Sequence, residues 1–420
     1  MKRTRSGWSV VLAGTGVNLA LGVLYTWSVI AGGIPEAWGW TAADRALPYA
    51  VACFVFALAM IPAGRLQDRF GPRWVITAGG VLMGGGLVVS SLAGDSLAGF
   101  VLGFGVLTGI GIGFGYASAT PPAVKWFPPR KTGMVAGIVV AGFGLASVYI
   151  APLATGLLGS FGLERTLLYL GIAFAVVVVL MAQLVRDPPA GYVPEDAGPA
   201  TGSAAAAAGP ERGWKQMLRS AQFWVLWLMY AFGSATGLML IGMAKPLGRS
   251  SMGEAAFWVV VVLSVGNAGG RVLAGVLSDR LGRQWTLFGA FMIQAAMVFG
   301  LLFVQDSAVL LLAIILVAGA NYGANLALFP SATKDYFGLK SFGLNYGVMF
   351  TAWGVGGLVL PRINGMVIDA TGNPRITFVI AGSLMVLGAV LTFVSRAIAA
   401  RDESGGVPDA AAPTVTTTNA

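Results

Sequence analysis

The chain has 420 residues, of which 56% are hydrophobic and only 10% are charged, and its formal net charge is +9 at pH 7. Soluble domains carry about 25% charged residues, so this composition excludes a soluble protein and predicts an all-α membrane protein. The positive charge does not indicate a nucleic-acid partner, because no basic tract is interleaved with aromatic residues. One cysteine and no histidine exclude a disulfide framework and argue against a transition-metal site, so neither metal nor cofactor is predicted.

Twelve apolar segments follow one another, each of about 20 residues and long enough to cross about 30 Å of hydrocarbon. They lie near 8–32, 46–64, 75–94, 97–122, 133–157, 165–185, 222–244, 255–277, 285–304, 307–330, 342–367 and 376–396. The connection 187–221 contains the low-complexity run TGSAAAAAGPE and is predicted to be a cytoplasmic linker. It separates an N-terminal six-helix bundle (1–186) from a C-terminal one (222–401). A small, polar tail (402–420) is expected to be disordered and cytoplasmic.

Basic residues are distributed unequally between the two ends of these segments. The connections on one side share ten of them: Arg65, Arg69, Arg73, Lys125, Arg130, Lys131, Arg280, Arg283, Lys334 and Lys340. The opposite side has five: Arg45, Arg165, Lys245, Arg249 and Arg375. Because cytoplasmic connections carry the excess of Lys and Arg, both termini are predicted to be cytoplasmic. The expected location is the cell (inner) membrane, with multiple passes and contact with its lipids.

The two halves contain related stretches, GRLQDRFGPR after segment two and GVLSDRLGR after segment eight. They share G-x-L-x-D-R-x-G and a final arginine. The residues concerned are Gly64, Asp68, Arg69, Gly71 and Arg73, and then Gly275, Asp279, Arg280, Gly282 and Arg283. Glycine permits close helix approach, and the charges can pair or cap helix ends. We predict that both stretches are conformational-switch motifs of a secondary transporter whose site lies between the halves.

Arg271 is the main candidate for function, because it lies inside the apolar run AAFWVVVVLSVGNAGGRVLAGVLSDR. A charge at that depth costs a few kcal/mol or more, and a guanidinium keeps its proton and matches a carboxylate with paired hydrogen bonds. Asn267 lies one helical turn earlier on the same face. Counted back from the motif glycine, the equivalent position in the first half is Met60. We therefore predict one anion site. Arg362, near the outer end of segment eleven, is expected to reach the membrane surface.

Tyrosines in other segments are predicted to complete the substrate site. The hydroxyls of Tyr25, Tyr116 and Tyr322 can form a polar cup, with helix packing or an interfacial belt as the alternative. No Asp, Glu or His lies in the middle of a segment. A protein-borne proton carrier is therefore missing, so either a proton travels on the substrate carboxyl or one carboxylate is exchanged for another.

The twelve-segment layout and the motif after segment two resemble the major facilitator superfamily. That resemblance implies two six-helix bundles related by pseudo-two-fold symmetry. The stretches GVLYTWSV, YGANLALFPSATKDYFG and NYGVMFTAWGVGG, with Asn267 and Arg271, resemble the oxalate:formate antiporter family and the related monocarboxylate transporters. In both groups the arginine of segment eight binds the anion. Oxalate carriers place a lysine where this chain has Trp353, and animal-type monocarboxylate carriers place an aspartate where it has Asn267.

With Trp353 facing the cavity in place of that lysine, the resemblance implies a site with one fixed cation. A dianion would remain half-compensated there, so a monocarboxylate is favoured. We expect a secondary transporter of lactate, pyruvate or formate by alternating access, acting as a monomer. The alternatives are an oxalate/formate antiporter, a membrane carboxylate sensor that does not transport, and a carrier of drugs or neutral solutes. No G-x-x-x-x-G-K-[ST] loop and no nucleophile–base set occurs, so neither ATP-driven transport nor an enzyme is predicted.

Overall fold

A computed structural model of the protein describes residues 2–128, 131–189, 192, 211–304, 307–338 and 341–404. Within these residues, ten helices are long and apolar enough to cross a membrane. One of them, Thr132–Ala182, is broken at Gly162 by a backbone with φ 75° and ψ 178°, and it therefore supplies two spans. Arg283–Gly300 is one more helix, of 18 residues, at the position of the ninth predicted segment. The predicted twelve-segment all-α architecture is confirmed.

The N-terminal half consists of α1 (Gly7–Ala31), α2 (Ala42–Phe70), α3 (Pro72–Ser91), α4 (Leu97–Lys125), α5 (132–161) and α6 (163–182). The C-terminal half consists of α7 (Ala221–Gly242), α8 (Phe257–Leu281), α9 (Arg283–Gly300), α10 (Ala308–Phe337), α11 (Phe342–Thr371) and α12 (Arg375–Ser404). A short helix, Ala244–Met252, precedes α8. Most of the predicted linker (193–210) and of the predicted tail (405–420) lies outside the described residues.

The two predicted switch motifs lie mainly in helices and not in loops, because α2 continues to Phe70 and α8 to Leu281. Each helix stops at the motif's second glycine. Gly71 has φ 81° and ψ 159°, and Gly282 has φ 84° and ψ 155°. A side chain is strained in this region of the backbone map, so glycine ends both helices in the same way.

The two halves meet along the helix pairs α2–α11 and α5–α8. We call the side where α2 and α8 end the motif side, and the opposite side the far side. On the far side, α2 and α11 touch through their backbones, since a Cβ added to Gly365 would lie 2.6 Å from the Cα of Ala43. Toward the motif side, a Cβ added to Gly347 would find its nearest neighbour, the Cγ1 of Ile61, at 3.7 Å. The halves are therefore packed more tightly on the far side.

Polar contacts reinforce the far-side contact between α2 and α11. The carboxylate of Asp369 accepts hydrogen bonds from the backbone N–H groups of Ala42 (2.6 Å) and Ala43 (2.9 Å), at the first turn of α2. The Arg362 guanidinium donates to the carbonyl of Ala43 and lies 4.0 Å from the carboxylate of Asp44. An anion at a helix N-terminus compensates the helix dipole and satisfies free N–H groups. Arg362 thus joins the two halves on the far side.

Candidate functional site

Helix α8 is held against α10 at a backbone-to-backbone distance, which fixes the face that carries Arg271. A Cβ added to Gly270 would lie 1.9 Å from the carbonyl oxygen of Ala320. Close approach of this kind is the usual reason for small residues between membrane helices. On the opposite side of α8, Gly144 of α5 faces the guanidinium, since a Cβ there would be in van der Waals contact with Nε of Arg271 at 3.6 Å. Arg271 is 9% exposed and Asn267 is fully buried.

The Arg271 guanidinium is only partly satisfied by the protein. Its Nε donates to Oδ1 of Asn267 (3.2 Å), and its Nη1 donates to the carbonyl of Val140 in α5 (3.1 Å). Its Nη2 and the Nδ2 of Asn267 are buried without a hydrogen-bond partner among the described residues. Nor does Arg271 form an ion pair with a carboxylate in that part of the chain. Buried donors without partners cost about 1–3 kcal/mol each, and more when charged.

The tyrosines predicted for the site lie around the same guanidinium. The phenols of Tyr25, Tyr116 and Tyr322 interact with it electrostatically. The hydroxyls of Tyr25 and Tyr322 share a hydrogen bond of 2.7 Å, although these residues are 297 positions apart and belong to different halves. Nε1 of Trp353 donates to the hydroxyl of Tyr322 at 2.9 Å. The structure therefore brings all six predicted substrate-site residues into one cluster, in which five are buried and Tyr116 is half-buried.

Three phenylalanines complete the cluster, and the sequence analysis did not identify them. The ring of Phe143 lies 4.8 Å from that of Tyr25 and 5.2 Å from that of Tyr116, both edge-on. Phe56 packs 5.1 Å from the Trp353 ring, and Phe350 is stacked on it at 4.9 Å. Of these three, only Phe143 could have been identified from the sequence, because it stands between two glycines in a helix that faces the other half.

The cluster contains more hydrogen-bond donors than acceptors. Among the described residues, Nη2 of Arg271 and Nδ2 of Asn267 have no acceptor. The indole N–H and the two bonded phenols supply three hydrogens for two bonds, so one hydroxyl hydrogen also remains free. An ionised carboxylate accepts hydrogen bonds at both oxygens and donates none. The site is chemically suited to a small anion in an aromatic enclosure.

The switch motifs differ in their surroundings. In the second motif, the guanidinium of Arg283 contacts the hydroxyl of Ser278 and lies 3.0 Å from the Asp335 carboxylate in α10. In the first motif, Arg69 and Arg73 are exposed and lie over the rings of their neighbours, Phe70 and Trp74. Asp68 and Arg280 are also exposed, and the side chain of Asp279 lies outside the described residues.

One reason given for the motif glycines is wrong for this arrangement of the halves. A Cβ added to Gly64 or to Gly275 would have no neighbour within 4 Å, so neither glycine is needed for close helix packing here. Both positions lie in regular helix, one turn before the aspartate and arginine of the motif. The second glycine of each motif, at the helix end, is the one that the backbone requires.

The fold and the twin motifs define a class of membrane transporter, and a family model confirms it. The model of the Major Facilitator Superfamily matches residues 10–265 and 236–418, so the chain belongs to this superfamily of transporters, which are not enzymes. A bacterial homologue of the human lysosomal transporter Spinster, in an inward-facing and occupied conformation, has the same fold: its TM-score is 0.72 at 18% identity, over 94% of this chain and 97% of that one.

Several curated proteins are similar to this chain over most of its length. The uncharacterized MFS-type transporter YhjX of Escherichia coli K12 is 30% identical over 357 residues, which are 84% of this chain and 86% of that protein. The oxalate:formate antiporter of Oxalobacter formigenes is 28% identical over 351 residues, 82% and 80% of the two chains. Human monocarboxylate transporter 11 is 29% identical over 407 residues, 92% and 82% of the two chains.

Proposed function

We propose that the protein transports small monocarboxylates, of the size of formate, pyruvate or lactate, by alternating access. The observation that carries the proposal is the buried Arg271–Asn267 pair, whose Nη2 and Nδ2 have no partner among the described residues. A carboxylate seated there satisfies both donors and compensates the guanidinium charge at once. Relatives named for oxalate, formate, monocarboxylate and sulfoacetate transport support a carboxylate-bearing substrate.

The charge of the cluster supports a monoanion over a dianion. Arg271 is the one cation found there among the described side chains, and Trp353 contributes only a neutral indole N–H. A buried dianion would keep one uncompensated charge, which costs several kcal/mol in a low-dielectric site. Oxalate/formate exchange is the second candidate, and the 28% identical oxalate:formate antiporter supports it.

The Val140 carbonyl supports exchange as the mode of transport. It accepts a hydrogen bond from Nη1 of Arg271 across the two halves. A carbonyl dipole satisfies the donor but does not neutralise the charge. We therefore propose that the empty carrier reorients slowly and that bound carboxylate accelerates the step. The same proposal favours exchange of ionised carboxylates over a proton carried on the substrate carboxyl. It places the chain in the inner membrane with the motif side and both termini in the cytoplasm.

A counterflow assay in proteoliposomes tests the proposal. Vesicles are loaded with formate, lactate, pyruvate or oxalate, and uptake of the labelled compounds is followed at two external pH values. We expect fast exchange of a monocarboxylate and at least thirtyfold less uptake by Arg271→Gln, because one partner of a buried charge pair is lost. Arg375→Gln is the matched control, since Arg375 is another arginine of the C-terminal half and is exposed at the start of α12, outside the cluster.

Each alternative predicts a different result. Preferential oxalate exchange would replace the monocarboxylate assignment by the oxalate/formate one. Binding of a carboxylate in a thermal-shift assay without uptake would identify a sensor. Native uptake by Arg271→Gln, or no response to any carboxylate, would overturn the proposed site and point to a neutral substrate.

A further inference from the structure

We propose that Trp353 is a positioning residue that fixes the direction of a hydrogen-bond chain and thereby makes the site select an ionised carboxylate over neutral analogues. This inference rests on the proposed function, because it concerns how the same site discriminates among small carboxylates and their uncharged relatives. It assigns to Trp353 a role through two tyrosines, in place of direct contact with the substrate.

The chain has three members and joins both halves. Nε1 of Trp353 donates to the hydroxyl of Tyr322 (2.9 Å), which is hydrogen-bonded to the hydroxyl of Tyr25 (2.7 Å). Trp353 is 0% exposed, Tyr322 1% and Tyr25 2%, so bulk water does not compete for these groups. The Tyr25 phenol interacts electrostatically with the Arg271 guanidinium, which places it at the charged end of the cluster.

The indole sets the direction of the chain because it can only donate. The Tyr322 oxygen must therefore accept from Trp353, and an oxygen that accepts becomes a stronger donor. Tyr322 is therefore assigned as the donor in the hydrogen bond that it shares with Tyr25, in which either hydroxyl is placed to donate. The Tyr25 oxygen is then occupied as an acceptor, and its own hydrogen is left to be donated. Without the indole, either phenol can donate to the other, and the Tyr25 oxygen becomes free to accept.

An end of the site where the free groups of Tyr25, Arg271 and Asn267 all donate distinguishes between chemically similar ligands. A carboxylate accepts from Tyr25, from Nη2 of Arg271 and from Nδ2 of Asn267 without placing any hydrogen against them. A protonated acid or a primary amide brings its own O–H or N–H, which finds no free acceptor at Tyr25. Sites of this type reject the wrong partner because a buried polar group is left unpaired. The chain thus adds a discrimination that the Arg271 charge alone does not supply.

The test compares inhibition of labelled-carboxylate counterflow by an acid and by its matched primary amide, using lactate with lactamide, pyruvate with pyruvamide, and formate with formamide. We expect Trp353→Phe to lower the ratio of amide to carboxylate half-inhibitory concentrations about fivefold, the size of one hydrogen bond. Trp227→Phe is the matched control. It removes another indole hydrogen bond to a hydroxyl, from Nε1 of Trp227 to Thr351 at 3.0 Å, without touching the chain.

A second variant keeps the test decisive where Trp353→Phe folds poorly. Tyr322→Phe breaks the same chain at its middle member, so it should lower the ratio similarly, and the double variant Trp353→Phe/Tyr322→Phe should lower it no further than Tyr322→Phe alone. An unchanged ratio in both single variants, with uptake intact, overturns the role of Trp353 and leaves the proposed function standing. Absence of inhibition by every carboxylate in the unmodified protein overturns the proposed function itself.

Discussion

The N-terminal half presents neutral side chains to the centre of the molecule, whereas the C-terminal half also presents a buried charge. Phe143 and Tyr25 come from the first half, and Arg271 with Asn267 comes from the second. Yet the backbones agree closely where the motifs end, at Gly71 and Gly282. The repeat has therefore kept the backbone at these two helix ends while the side chains at the centre diverged. The common backbone suits a rocking motion, and the divergence produces a single charged site.

The largest effect should come from the position where the halves differ most. Arg271→Gln is expected to lower carboxylate uptake at least about thirtyfold, because the charge that matches the anion is lost. Its repeat mate provides the comparison, and Met60→Gln should change uptake less than about threefold. The measurement is initial uptake in proteoliposomes, normalised to the amount of folded protein. Equal losses in both variants would mean that the site is symmetric.

The next effect should be equal in the two halves. Gly71→Ala and Gly282→Ala each place a Cβ on a backbone with φ above 80°, and each should destabilise the protein by about 1–3 kcal/mol. Gly64→Ala and Gly275→Ala serve as controls, because their Cβ atoms meet no neighbour within 4 Å and lie in helix. Thermal unfolding in detergent reports all four. A loss confined to one motif would contradict the shared backbone role.

A third prediction concerns the far side, where the C-terminal half supplies the acceptor and the N-terminal half the donors. Asp369→Asn weakens the cap on the first turn of α2 by about 1 kcal/mol. The far side should therefore be open about fivefold more often. Cys53 reports opening directly, since it is the chain's single cysteine, is fully buried and lies beside Gly357 between α2 and α11.

The measurement is the rate at which a membrane-impermeant maleimide modifies Cys53 from the far side. Asp95→Asn, which removes a carboxylate elsewhere in the N-terminal half, should leave that rate at its native value. A rate for Asp369→Asn no higher than that of the control would show that the cap does not hold the halves together.

The smallest difference should separate the two motif arginines. Arg283 is partly buried and paired with Asp335 at 3.0 Å, whereas Arg73 is exposed. Arg283→Gln should therefore cost about 0.5–1 kcal/mol of stability, and Arg73→Gln only a few tenths. Chemical denaturation in detergent distinguishes these values. A larger loss of stability for Arg73→Gln would contradict the conclusion that the motif arginine of the C-terminal half contributes more through its ion pair.

The sequence was sufficient for those features that depend on one helix at a time. Hydropathy located the spans, and the 3.6-residue period placed Asn267 and Arg271 on one face, where they are hydrogen-bonded. Features that depend on the register between helices were not accessible. Nothing in the order of residues specifies that the carbonyl of Val140 meets Arg271, or that Tyr25 bonds to Tyr322. Close packing around glycines sets that register, and one sequence alone does not reveal it.

The buried guanidinium of Arg271 also has an electrical consequence. Under the proposed function, the carrier with a monocarboxylate bound is neutral at its centre, whereas the empty carrier holds one positive charge there. Moving one elementary charge through a membrane potential involves about 2.3 kcal/mol per 100 mV. Exchange of one monocarboxylate for another should therefore run at the same rate at any voltage. An empty return step would generate current, and its rate would follow the membrane potential.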